Sequence, residues 1–142
     1  MKFLLDTVVL SEFRKQEPNP HVVRWLQEVK TPNLFLSVVT IGEVERGISK
    51  QRNINPAFAR KLSDWLKTVF LHYHDRILLI DIPIARRWGI LSNQHGHAGA
   101  DLLIAATALE HELTVVTRNT RHFEPTGVSV LNPFEPFAKA ET

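Results

Sequence analysis

The first thirteen residues, Met1–Phe13, read MKFLLDTVVLSEF and place a short apolar run directly before a carboxylate. The run Phe3-Leu4-Leu5 shows no polar alternation, which is typical of a strand buried on both faces of a sheet. Asp6 follows it at once, and the helix-forming segment VVLSEFRK begins two residues later. A buried strand that ends on an acid and then turns into a helix is typical of α/β proteins, which bind ligands at such turns.

The same arrangement recurs along the chain. The predicted strands are Lys2–Leu5, Leu34–Val38, Ile77–Ile80, Thr114–Thr117 and a short fifth strand, Val128–Leu131. Apolar residues at helical spacing predict helices over Pro56–Leu71, over Asp101–Leu113 and around Trp25 in the stretch before Pro32. Strands that are apolar throughout and separated by helices predict a parallel sheet covered on both faces, so the fold class is α/β.

Composition narrows the class of protein further. The 142 residues contain no repeat and no Gly-, Pro- or Ser-rich linker, so we expect one domain over residues 1–142. The absence of cysteine excludes disulfides and thiolate zinc sites. We see neither a signal peptide nor an apolar stretch near the roughly 20 residues of a membrane span, and we expect a cytoplasmic protein with no membrane partner. A formal net charge of +2 is compatible with a polyanionic partner.

Three acids lie where predicted strands turn into helices. Asp6 follows the first strand, Glu43 lies in TIGEVERGI after the second, and Asp101 begins the apolar helix before the fourth. Each also has a purely structural interpretation. Asp6 can cap a helix, Thr40 and Glu43 have the spacing of a capping box, and Asp101 suits the first turn of a helix dipole. If the three turns meet at one edge of the sheet, the carboxylates converge.

Convergence of carboxylates requires a counter-charge. Two carboxylates about 5 Å apart at an effective dielectric of about 20 repel by roughly 3 kcal/mol, so a cluster takes up protons or binds a cation. Oxygen ligands select hard cations such as Mg²⁺ or Mn²⁺ over zinc. Phosphodiester hydrolysis is the chemistry that such ions support most directly. The acids therefore predict a metal-dependent nuclease.

Four motifs in order carry a family resemblance. They read LLDT, TIGEVERGI, ADLLIAATA and VVTRNTRHF, and this series resembles the PIN-domain ribonucleases, specifically the VapC and FitB-like toxins of type II toxin–antitoxin systems. The resemblance implies a three-layer α/β/α sandwich around a central parallel sheet, with an acidic pocket that binds Mg²⁺ or Mn²⁺. It also implies endonucleolytic cleavage of RNA, a cognate antitoxin that often binds operator DNA, and a homodimer.

The resemblance also assigns roles to individual residues. Asp6 and Asp101 match the metal-binding aspartates, and Glu43 matches the acid expected to orient or activate water, directly or through a second metal. Two polar residues of the fourth motif, Thr117 and Asn119, are expected to contact water or phosphate. Arg46 lies within one helical turn of Glu43 and is a candidate phosphate contact.

The fourth motif departs from the family pattern. Family members commonly read T-R-N-x-x-D-F, whereas Thr117–Phe123 reads TRNTRHF and places His122 where an acid is expected. An imidazole brings no negative charge when neutral and is a poor Mg²⁺ ligand, although His122 can bind Mn²⁺ or act as a polar contact that holds a water. The choice between one metal and two therefore stays open.

Two other functions and one variant of the same fold are alternatives to this prediction. A receiver-like signalling domain would need paired acids after the first strand and a later lysine, which are missing here, and no glycine motif of a dinucleotide-binding domain occurs. His122 supports an alternative interpretation, a catalytically weak or silent PIN domain that only binds a partner. Among the remaining residues, we expect Asp81 to cap a helix from Pro83, and His72, His74, His95 and His97 to be loop residues.

Overall fold

The structure, a computed structural model, describes residues 1–136, so residues 137–142 of the predicted domain lie outside the described part. Within that part, five strands form one sheet in the order β3-β2-β1-β4-β5, and every neighbouring pair is parallel. The strands are β1 (Phe3–Leu5), β2 (Leu34–Ser37), β3 (Ile77–Leu78), β4 (Thr114–Val116) and β5 (Val130–Leu131).

Helices connect the strands and cover both faces of the sheet. They are α1 (Thr7–Glu12), α2 (Pro20–Glu28), α3 (Val38–Ile54), α4 (Pro56–Tyr73), α5 (Ile82–His95), α6 (Ala100–His111) and α7 (Thr120–Phe123). Short 3-10 turns occur at Thr31–Asn33 and Glu124–Thr126. Within residues 1–136, no helix combines the length and the apolar character that a membrane crossing requires.

The sheet separates two apolar cores, as the central strand shows. Side chains alternate across a strand, so Phe3 and Leu5 pack with α1–α4 on one face while Leu4 packs with α5, α6 and α7 on the other. All three β1 residues are buried, which explains why the strand is apolar without alternation. The predicted three-layer α/β/α sandwich with a central parallel sheet is confirmed.

Strand order brings two chain segments together beside β1. The chain leaves β1 for β2 on one side and later returns to β4 on the other, so the direction of winding reverses between β1 and β4. Ligands of open α/β sheets bind at such a switch point, outside the carboxyl ends of the strands. Asp6, directly after β1, and Thr117, directly after β4, therefore meet there.

Several predicted boundaries were wrong in detail. The strand β2 ends at Ser37, whose hydroxyl oxygen accepts the Val39 N–H at 3.1 Å and so caps α3. The predicted capping box of Thr40 and Glu43 was therefore wrong, because both residues lie inside the helix and Glu43 does not open it. The strand β3 ends at Leu78 rather than Ile80, and β5 begins at Val130 rather than Val128.

The helix boundaries shifted for similar local reasons. The helix α4 continues to Tyr73, so His72 is helical and not a loop residue, and His95 likewise ends α5. The predicted cap at Asp81 is confirmed, because its carboxylate accepts the Ile84 N–H at 3.0 Å. Its helix begins at Ile82, one residue before Pro83.

Candidate active site

Asp6 lies at the centre of the switch point and is held by two donors. Its Oδ1 accepts the N–H of Thr7 at 2.7 Å, and its Oδ2 accepts the hydroxyl of Thr117 at 2.8 Å. Asp6 is only 6% exposed, and Thr117 is fully buried. Asp6 also caps α1, so the structural role considered from the sequence and a role in a site coexist.

The surroundings of Asp6 disfavour its charge. Burial is the largest influence and raises the pKa of Asp6, while the hydrogen bonds from Thr117 and Thr7 lower it. The negative charges of Asp101 and Glu43 raise it further, and the net shift is upward. The three predicted acids therefore share one electrostatic environment at this edge of the sheet.

Glu43 reaches the site through Thr7, a residue that the sequence analysis did not single out. The Thr7 hydroxyl donates to Glu43 Oε1 at 2.7 Å, while the Thr7 N–H donates to Asp6. Thr7 thus joins Asp6 and Glu43, two acids that are 37 positions apart in sequence. The only sequence signal for this role is its place directly after Asp6 in LLDT.

Asp101 is paired with the residue that replaces the family's fourth acid. His122 Nδ1 donates to Asp101 Oδ2 at 2.9 Å, and both side chains are partly exposed. Because a carboxylate only accepts hydrogen bonds, Nδ1 carries the proton, and Nε2 of the neutral ring has a free lone pair. His122 therefore does face one of the predicted metal ligands.

The other predicted contact residues differ in how closely they approach the acids of the site. Thr117 accepts the Asn119 N–H at 3.0 Å while donating to Asp6, so the backbone of Asn119 supports the site. The Asn119 side chain is exposed and does not cap α7. Arg46 is also exposed, and within residues 1–136 it makes no ion pair with Glu43 or any other acid.

The predicted metal ligands do not form a ready-made cluster. Within residues 1–136, no three His, Cys, Asp or Glu side chains are grouped closely enough to hold a metal ion. Thr7 and Thr117 engage Asp6, and His122 engages Asp101. The available donors are nevertheless carboxylate oxygens, which hard cations prefer, and their mutual repulsion favours a cation. The residue types fit Mg²⁺ or Mn²⁺, and Asp6, Asp101 and Glu43 are the residues that would hold the ion.

Fold and site together define an α/β protein with a buried carboxylate, Asp6, at the switch point of a parallel sheet and two further acids that act on it electrostatically. The profile of the PIN domain matches residues 3–127, which is most of the chain. The chain therefore belongs to the PIN domain family, and the receiver-like and dinucleotide-binding alternatives are excluded.

Two relatives match this chain over nearly its whole length. Toxin FitB of Neisseria gonorrhoeae is 36% identical over 141 residues, covering 92% of this chain and 97% of that protein. VapC ribonuclease Y4jK of Sinorhizobium fredii is 34% identical over 143 residues, covering 94% and 98%. The resemblance to VapC and FitB toxins is thereby confirmed.

Solved structures extend the similarity to three dimensions. The crystal structure of FitAcB from Neisseria gonorrhoeae contains a chain that is 36% identical with a TM-score of 0.82, covering 93% of this chain and 98% of that one. A structure of FitAB bound to an IR36 DNA fragment gives 31% identity and a TM-score of 0.77, with 96% and 99% coverage.

Proposed function

We propose that this protein is the toxin of a type II toxin–antitoxin system and acts as a Mg²⁺- or Mn²⁺-dependent endoribonuclease. Membership of the PIN domain family and similarity to proteins named VapC ribonuclease and toxin FitB support this assignment. The observation that carries it is Asp6, a buried carboxylate whose pKa is raised by burial and by the charges of Asp101 and Glu43. A cation would relieve this repulsion.

In the proposed mechanism, Asp6 and Asp101 hold the cation and Glu43 acts on the attacking water. The donors Thr7 and Thr117 fix the Asp6 carboxylate, and each of its oxygens keeps a further lone pair for a metal. A bound divalent cation would supply Lewis-acid stabilisation of the negative charge that develops on the phosphate. Glu43, oriented by the Thr7 hydroxyl, would accept a proton from the attacking water.

The test is cleavage of RNA by purified protein with Mg²⁺ or Mn²⁺ and with EDTA. Asp6→Asn and Asp101→Asn should abolish cleavage, since each removes one negative charge from the cation site. Asp64→Asn is the matched control, because Asp64 is an exposed carboxylate on α4 with a side chain 79% accessible. Normal activity in EDTA, or in either site variant, would contradict a metal nuclease.

A silent PIN domain is the second candidate. The contact between His122 and Asp101 favours it, because the histidine occupies one predicted ligand and supplies no charge of its own when neutral. A silent domain would bind its partner, but the unsubstituted protein would not cleave RNA with Mg²⁺ or with Mn²⁺. Cleavage that disappears in Asp6→Asn would exclude it.

The proposed protein partner is a cognate antitoxin, and the pair is proposed to bind operator DNA. The similar structure of FitAB bound to a DNA fragment supports this. We expect the antitoxin to cover the acidic site with an arginine, because a guanidinium pairs well with clustered carboxylates. Inhibition that leaves metal access unchanged would contradict that expectation. A homodimer and a cytoplasmic location remain predictions, to be checked by light scattering and by fractionation.

A further inference from the structure

A cavity of about 340 Å³ lies beside Asp101, between the end of α5, the start of α6 and α7. Its volume falls within the roughly 300–1,000 Å³ of ligand pockets. Its polar lining comes from His95, His97, Asp101, Arg121, His122 and Thr126. Asp101 thus borders both the acidic site and this cavity, so a ligand of one site can extend into the other.

Arg121 supplies the permanent positive charge of this lining. Within residues 1–136, no carboxylate lies within 4.0 Å of its guanidinium, whereas Arg87 and Arg76 each pair with an acid. The guanidinium fork matches the oxygens of a phosphate, and Arg121 is exposed and accessible to one. The cavity thus contains a charged donor that the fold itself does not use.

His97 adds a donor whose direction is set by the local backbone. The Gly99 N–H donates to His97 Nδ1 at 3.2 Å, so the neutral ring carries its proton on Nε2 and can donate it. A Cβ at position 99 would lie 3.2 Å from His97 Nδ1, so glycine lets the ring approach the backbone this closely without a shift of a few tenths of an ångström. The turn also passes through Gly96 with a φ of 72°, a left-handed conformation that favours glycine.

The composition of the cavity favours an anion over a cation. Asp101 is the single carboxylate in the lining, and it already accepts a hydrogen bond from His122. Arg121 and His97 can both donate hydrogen bonds to an anion. The lining includes no Phe, Tyr or Trp on which a nucleobase would stack. A phosphate group of the nucleic-acid backbone fits this chemistry better than a base does.

We propose that this cavity binds a backbone phosphate of the RNA substrate next to the phosphate that is cleaved, with Arg121 and His97 as the donors. The proposal rests on the proposed function, since it takes RNA as the substrate of the adjoining acidic site. It adds a positioning role for two residues that lie outside the carboxylate set. Their effect is on RNA binding, and it is measurable without metal and without cleavage.

The experiment measures binding of a short single-stranded RNA of mixed sequence by fluorescence anisotropy, over a range of salt concentrations and in EDTA. The parent is the Asp6→Asn protein, which prevents cleavage during the measurement. Adding Arg121→Ala should weaken binding about 3- to 10-fold, as expected for one exposed charge-assisted contact, and should reduce the slope of log K against log salt by about 0.7. His97→Ala should weaken binding by a smaller factor and leave the slope unchanged.

Arg60→Ala is the matched control, because Arg60 is an exposed arginine of α4, a helix whose core lies on the opposite face of the sheet. Thermal melting of each variant checks that the fold is intact. The cavity's role would be overturned if Arg121→Ala bound RNA as tightly as its parent. It would also be overturned if Arg60→Ala weakened RNA binding as much as Arg121→Ala does. Absence of RNA binding by the parent would overturn it as well.

Failure of the proposed function gives a different result. If the unsubstituted protein does not cleave RNA with Mg²⁺ or Mn²⁺ while Arg121→Ala still weakens RNA binding, the nuclease assignment fails and the phosphate cavity stands. If cleavage depends on Asp6 but Arg121→Ala does not change RNA binding, the nuclease assignment stands and the phosphate cavity fails.

Discussion

The hydroxyl of Thr117 donates to Oδ2 of Asp6 at 2.8 Å, a contact between residues 111 positions apart in sequence. It joins the end of β1 to the end of β4 at the point where the sheet reverses its winding. Both side chains are buried, so the carboxylate is oriented by protein donors and largely removed from water. The stability of the protein should therefore respond to the charge at this one position.

The first prediction concerns Asp6→Asn without metal. The raised pKa means that the folded state favours protonated Asp6, so its contribution to stability is present below the ordinary value of 3.8 and is lost as pH rises through the folded pKa. At neutral pH in EDTA, Asp6→Asn should melt higher than the parent, by about 4 °C for each kcal/mol relieved. This difference in melting temperature should vanish as the pH falls below the ordinary carboxyl pKa of 3.8.

Thermal melts at several pH values provide the measurement, with Asp64→Asn as an exposed control. Asparagine still accepts the Thr7 N–H, and the Thr117 hydroxyl can rotate to accept from the new amide. A lower melting temperature for Asp6→Asn at neutral pH would show that the hydrogen bonds from Thr7 and Thr117 outweigh the cost of burying the charge.

The second prediction concerns Thr7, the link between Asp6 and Glu43. Thr7→Val keeps the backbone N–H to Asp6 and the branched shape but removes the hydroxyl that donates to Glu43. We expect kcat for RNA cleavage to fall about 10-fold, equivalent to about 1.4 kcal/mol, with KM nearly unchanged. Thr7→Ser restores the donor and should recover most of the rate. Equal losses in the valine and serine variants would indicate a packing effect.

The third prediction concerns His122→Asp. The new carboxylate would face Asp101 where His122 now donates at 2.9 Å, so the metal-free protein should be less stable through like-charge repulsion. Mg²⁺ should bind more tightly and restore the melting temperature, because ligand binding to the folded state stabilises it. Calorimetry gives the affinity, and His122→Ala is the control that adds no charge. Unchanged Mg²⁺ affinity would mean that position 122 does not contribute to the metal site.

The fourth prediction concerns Phe123, which follows His122 and anchors α7. Its side chain is fully buried in the core beneath α5 and α6. Phe123→Ala should lower the free energy of unfolding by about 3–5 kcal/mol, measured by urea denaturation. Leu71→Ala, at a position 79% exposed, should change it by less than about 0.5 kcal/mol. A small effect at Phe123 would mean that α7 is not held by this core.

Much of the fold was predictable because local pattern and burial coincide. The apolar runs at Phe3–Leu5 and Leu34–Ser37 become strands since both of their faces are covered, and this shows in sequence as missing alternation. The ends of helices were harder to predict, because neighbouring residues compete to cap the same helix. Thr40 and Glu43 have capping-box spacing, but Ser37 caps α3 three residues earlier and leaves Thr40 buried inside the helix.

The sequence by itself determined the family, the layers of the fold and the identity of the acids, because motif order and apolar periodicity are local properties of the chain. Only the tertiary structure decided which side chains meet. The contact of Thr117 with Asp6 and that of His122 with Asp101 depend on strand order and on the path of the α7 segment. The cavity beside Asp101 likewise forms from three helices and the turns next to them, and no spacing in LLDT or TRNTRHF encodes such distances.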